Sequence, residues 1–124
     1  DHIHAVLGRG LLAKDEAFVI GFTMGSTRRL GAAEESLFTL VARRLYPGIY
    51  RFTDEDVQVF RDAVRLAAIS DCAPLNRIEF NGYLDRSLGD IRRALGVDEA
   101  LLRAYFAIER RRYPDAPESC RLLA

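Results

Sequence analysis

The sequence predicts an all-α fold, a single helical domain of about five to six helices. Three observations carry this. Apolar residues recur at helical spacing: Leu37, Leu40, Val41 and Leu45 in one segment, and Val57, Phe60, Val64 and Ala67 or Ala68 in the next. Capping residues and glycine or proline stops bracket these segments. No run alternates apolar and polar residues as a half-buried strand does, and no segment repeats. The helical domain is expected over residues 1–113, followed by an irregular tail over 114–124 that opens with Pro114 and Pro117.

The elements follow in order. Residues 1–7 read as a helix that stops at Gly8-Arg9-Gly10. Residues 13–26 are the most apolar stretch, with too few polar positions for a surface helix, so burial on most sides is expected. Gly21 and Gly25 share one face of it, where tight helix packing, or else a ligand, comes close. A helix over 32–46 ends at Pro47-Gly48. Thr53 caps the next one, and Asp54, Glu55 and Asp56 fill its first turn, where the helix dipole favours negative charge. Residues 71–86, with Pro74, Asn81 and Gly82, read as a connecting loop. Ser87-x-x-Asp90 resembles a capping box and opens a short helix to Leu95, stopped by Gly96. Asp98 caps a last helix to about Arg112.

Composition narrows the function. The chain has 124 residues, 49% of them hydrophobic, enough for a core. Basic and acidic residues balance at 18 each, which argues against binding to nucleic acid or a membrane surface through net charge. Lys14 is the one lysine, an arginine bias that reads as a GC-rich bacterial gene. Cys72 and Cys120 lack metal-type spacing and read as free thiols of a reducing cytosol. No segment reaches transmembrane length or resembles a signal peptide. The start inside a helix predicts an upstream segment. Residues 91–112 have a helix-turn-helix outline with a basic end. There is no second basic face, and Arg110, Arg111 and Arg112 sit where cations complement a helix C-terminus, so no nucleic-acid partner is expected. There is no Gly-x-Ser-x-Gly elbow, phosphate-cradling glycine loop or Cys-x-x-Cys motif.

Both histidines of the chain, His2 and His4, lie in its first four residues. On a helix Asp1 and His4 share a face while His2 points elsewhere. The glycine turn sends the chain back, so Glu16 can lie near that face. Two carboxylates and an imidazole in an apolar layer are costly unless neutralised, and a divalent metal does so; zinc, manganese and iron suit this donor set. The competing reading is ordinary: Asp1 caps a helix and His4 lies on its surface.

Asp1-x-x-His4, eleven residues and Glu16 resemble the signature of the coenzyme Q biosynthesis protein Coq-four family, His-Asp-x-x-His, eleven residues, Glu. The signature's first His would fall just before residue 1. HAVLGRG resembles the family's helix and glycine turn, and YLDRSLGDIRRALGV, residues 83–97, resembles its ending. Residues 98–124 have no counterpart in the resemblance.

The resemblance implies a ubiquinone biosynthesis protein, cytoplasmic and peripheral at the inner face of the membrane. It implies a divalent metal, zinc by preference, on Asp1, His4 and Glu16, with one coordination position open. The implied ligand is a polyprenylated hydroxybenzoate-type lipid, or isoprenoid lipid. The implied reaction is loss of the ring C1 carboxyl coupled to hydroxylation there. Phe18, Ile20, Phe22 and Met24 are candidates for the lipid lining, with core packing as the competing role. Arg9 reads as exposed and solvated, or else as a contact for an anionic head group. A free α-amine on Asp1 could replace the lost imidazole. The implied partners are other quinone-biosynthesis proteins, and a second copy or the upstream segment covering the open groove. The alternative function is a non-enzymatic lipid-binding scaffold for those enzymes, with the metal structural.

Overall fold

The computed structural model describes residues 2–27, 52–120 and 122, and among these there are helices and turns but no strand. Asp1 and the helix expected over 32–46 lie outside the described residues. The chain is all-α, as its periodicity predicts.

Helix α1, His2–Leu7, ends at Gly8, whose φ of 70° is the left-handed conformation that closes a helix. The Gly8 amide donates to the Ala5 carbonyl and the Arg9 amide to the His4 carbonyl. Helix α2, Ala13–Ser26, starts where the Asp15 carboxylate accepts from the Leu12 amide at 3.0 Å, satisfying one of the donors a helix start leaves over. Its apolar residues are spread around the whole circumference, and Ala17, Phe18, Val19 and Phe22 are all buried.

Helix α3, Asp54–Ser70, packs lengthwise on α2 in the most extensive helix pairing of the molecule's described part. Thr53 Oγ1 accepts from the Asp56 amide, and the Asp56 carboxylate accepts from the Thr53 amide at 2.9 Å. This is a reciprocal capping box made with the shorter acid. Gly21 and Gly25 face α3. A β-carbon at Gly21 would overlap the Phe60 carbonyl oxygen, and one at Gly25 would lie 2.9 Å from the Val64 Cα. The two glycines are four apart, as are Phe60 and Val64, so the backbones touch over one turn. Tight packing is therefore the role of this pair.

The connection after α3, expected as a plain loop, contains two 3₁₀ turns, Leu75–Arg77 and Phe80–Tyr83. Leu75 is buried, and its amide donates to Ser26 Oγ at the end of α2. Helix α4, Leu88–Leu95, is capped by Ser87, which accepts from the Asp90 amide. The Asp90 side chain turns instead to Arg93, so the box is half formed. Gly96, at φ 76°, ends the helix as predicted. Helix α5, Glu99–Arg112, begins at the Asp98 cap.

The tail departs from expectation. Residues Pro117–Cys120 form a short helix, α6, with Glu118 and Ser119 buried. Pro117 suits the first position of a helix, where its missing amide hydrogen costs nothing, and the acidic Glu118 suits the first turn.

Phe18 centres the core. Its ring lies 5.8 Å from Phe22, 5.6 Å from Tyr105 and 5.2 Å from Phe106, joining α2 to α5. Burial of each such ring contributes roughly 1.5–3 kcal/mol. The Cys72 thiol is buried and the Cys120 thiol is exposed. No helix among the described residues is long and apolar enough to cross a membrane.

Candidate functional site: the turn between α1 and α2

The glycine turn folds α2 back along α1 and places Glu16, in the first turn of α2, against His4, near the end of α1. His4 Nε2 and Glu16 Oε1 are 2.8 Å apart, with side-chain exposures of 12% and 21%. The two residues that twelve positions separate in sequence thus meet in a mostly buried contact. Asp1 lies outside the described residues, and among those described no group of three or more His, Cys, Asp or Glu side chains could hold a metal. His2 does point elsewhere: its ring packs 5.5 Å from Phe80, beside a pocket of 160 Å³ on the other side of α1.

The donor types fit a divalent cation. A zinc ion bound tetrahedrally by nitrogen and oxygen sets neighbouring donors roughly 3.4 Å apart. The observed pair needs to open by about half an ångström to reach that spacing. A metal would take the Nε2 lone pair, so the imidazole would bind it in the tautomer that carries its proton on Nδ1.

The lining candidates divide. Phe18 and Phe22 have no exposed surface, and their neighbours are aromatic rings of the core. Ile20 and Met24 are half-buried and pack against that core.

Arg9 is not exposed, which corrects the sequence expectation. Its side chain is fully buried and forms a fork on Glu109, at 2.8 Å through Nη1 and 3.1 Å through Nη2. Its Nε donates to Asp15 at 3.0 Å. Ser119 Oγ donates to Glu109 at 2.7 Å. The guanidinium also sits 4.8 Å from the Phe18 ring centre and 5.2 Å from that of Phe106. The planar fork and the weak hydration of guanidinium make arginine the cation that tolerates such a place. A cleft of 530 Å³ opens beside it, lined by Gly10, Leu11, Leu12, Asp15, Glu118 and Leu122.

Lys14 makes a second buried centre, 3.0 Å from Asp56 and 3.2 Å from Glu55, and its backbone amide donates to Glu118. Burial works against the ammonium, but the hydrogen bond to Asp56 and the two carboxylate charges outweigh it and raise its pKa. Burial pushes the Tyr105 phenol well above its ordinary range, and the carboxylates of Glu109 and Asp62 push the same way.

Sequence reasoning placed Arg9 at the surface and missed Asp15, Glu109 and Ser119. One signal was present. Glu109 continues the stripe Leu102, Tyr105, Phe106, so a carboxylate stood where the helix buries its face, and a buried carboxylate needs a cation. Comparison with models of known protein families, with curated proteins and with solved structures finds no match to this chain.

Proposed function

We propose that His4 and Glu16, with Asp1, hold a divalent metal, zinc first, and that the chain serves ubiquinone biosynthesis as a Coq-four-like domain. The observation that carries this reading is the 2.8 Å contact between His4 and Glu16, the two described members of the spaced motif. Asp1 joins them on sequence spacing alone.

The ligand under this reading is a polyprenylated hydroxybenzoate-type lipid, met peripherally at the inner face of the membrane. The bound metal would act as a Lewis acid toward the ring carboxylate or phenolic oxygen. Glu16 would fix the position of the cation and lower its charge. His4 would supply the neutral nitrogen donor, and the half-buried setting of both side chains limits water around them. Loss of the C1 carboxyl with hydroxylation there is the proposed chemistry, with an external oxidant. The Leu11 and Leu12 side chains, exposed at the turn beside this pair, are apolar surface suited to a lipid phase.

Zinc titration of the full chain tests the metal. Wild type is expected to take up one equivalent, and Glu16→Gln to lose it with helix content unchanged. Equal zinc uptake by wild type and Glu16→Gln removes Glu16 from the site. Conversion of a prenylated hydroxybenzoate that depends on restored zinc would favour the enzyme over the lipid-binding scaffold.

A further inference from the structure

We propose that Arg9 is the positioning residue of the His4–Glu16 pair, and that the C-terminal segment, through Glu109 and Ser119, sets its geometry. The inference rests on reading that pair as a metal site.

The turn that brings His4 to Glu16 contains Gly8 and Gly10, and glycines lose more conformational freedom on folding than any other residue. Left to itself, such a turn does not hold two side chains at a fixed separation. Arg9 sits between the two glycines, and its partners reach both sides of the turn. Its amide donates to the His4 carbonyl at 2.9 Å, tying it to α1. Its Nε holds Asp15, the residue before Glu16, and the other Asp15 oxygen caps α2 through the Leu12 amide. Arg9 therefore grips the ends of both helices that carry the pair, α1 through its backbone amide and α2 through its guanidinium.

The guanidinium is in turn fixed from a distance of one hundred residues. Glu109 binds it with both oxygens, and Ser119 of α6 donates to Oε2 of that carboxylate. Arg9, Glu109 and Ser119 are all buried, so water competes little for these bonds. This gives Glu109 of α5 and Ser119 of α6 a role in the site. The clamp acts as outer-shell partners of metal ligands do, and loss of such a partner lowers metal affinity roughly 10–100-fold.

Glu109→Gln and Ser119→Ala in the full chain test this, with Arg103→Ala, an exposed ion pair on the same helix, as control. Glu109→Gln keeps the Arg9–Asp15 pair and its charge balance, and Ser119→Ala removes one bond only. Zinc affinity, read by competition with a chromophoric chelator, is expected to fall about tenfold in Glu109→Gln, less in Ser119→Ala and not in the control. Helix content by circular dichroism should stay constant. The ¹⁵N resonance of His4 Nε2 is the second readout, because it reports contact with Glu16 without metal. It is expected to move in Glu109→Gln in the direction it moves in Glu16→Gln. Unchanged zinc affinity and an unchanged His4 signal in both variants overturn the proposal. Should wild type take up no zinc, the metal reading fails and the His4 signal alone decides the clamp. Should Glu109→Gln not fold, Ser119→Ala decides by the same two readouts.

Discussion

Gly21 of α2 lies so close to Phe60 of α3 that its missing side chain is what lets the two helices meet. An added β-carbon would overlap the Phe60 carbonyl oxygen and sit 3.1 Å from the Ala63 Cβ. Backbone cannot step aside as a side-chain end can. Gly21→Ala should therefore cost about 3 kcal/mol, at the top of the range for overpacked cores, even though alanine is the better helix former. Gly25→Ala should do the same against Val64 and Ala67. Urea unfolding measures both, and a stabilised Gly21→Ala would show that the helices are not in backbone contact.

The buried Arg9 predicts a different kind of loss. Arg9→Met keeps much of the volume but leaves Asp15 and Glu109 facing each other without their shared cation. Removing one partner of a buried ion pair costs about 3–5 kcal/mol. Arg9→Met/Glu109→Leu leaves only Asp15 uncompensated, at the edge of the cleft, and should recover more than half of that. A double variant less stable than the single one would mean that Glu109 holds its place without Arg9.

How far the sequence revealed this molecule depends on how local the signals are. Thr53, Ser87 and Asp98 each cap the helix they announced, because capping depends on the three residues that follow. Gly8 and Gly96 stop helices for an equally local reason, their positive φ. The meeting of His4 and Glu16 was legible because one short turn decides it. Arg9 was not: its partner is one hundred residues away, and nothing next to an arginine says whether a carboxylate will arrive from another helix. Distance hid α6 as well: Glu118 accepts from the Lys14 amide, 104 residues away, and Ser119 donates to the Glu109 that Arg9 holds.

Alkaline pH should loosen the fold, with Lys14 and Tyr105 among the groups responsible. Lys14 has its pKa raised in the folded state, from an ordinary 10.5. Its stabilising contribution is complete below that value and is lost as pH climbs through the folded pKa. Tyr105 is raised from 10.0, mainly by burial. Between its two pKa values the unfolded chain gives up a phenol proton that the folded chain keeps. The native state then binds more protons, and stability falls as pH rises. Unfolding free energy should thus decline from about pH 10 upward. Tyr105→Phe should decline less steeply while losing the bond to Asp62 at every pH. Parallel curves for the two proteins across that range would remove Tyr105 from the explanation.

Gly89 and Gly96, seven residues apart in sequence, should respond to the same change with opposite signs. Gly96 has φ at 76°, where a β-carbon meets the preceding carbonyl, and that position also lies 3.4 Å from the Cys72 Cα. Gly96→Ala should cost about 1–2 kcal/mol. Gly89, in the first turn of α4, has only Ser87 Oγ near a new β-carbon, at 3.9 Å. Gly89→Ala should stabilise by about 0.5–1 kcal/mol, since alanine has less freedom to lose in the unfolded chain. Thermal unfolding of the two variants reads the difference, and a loss at Gly89 equal to that at Gly96 would show that α4 does not begin at Leu88 behind the Ser87 cap.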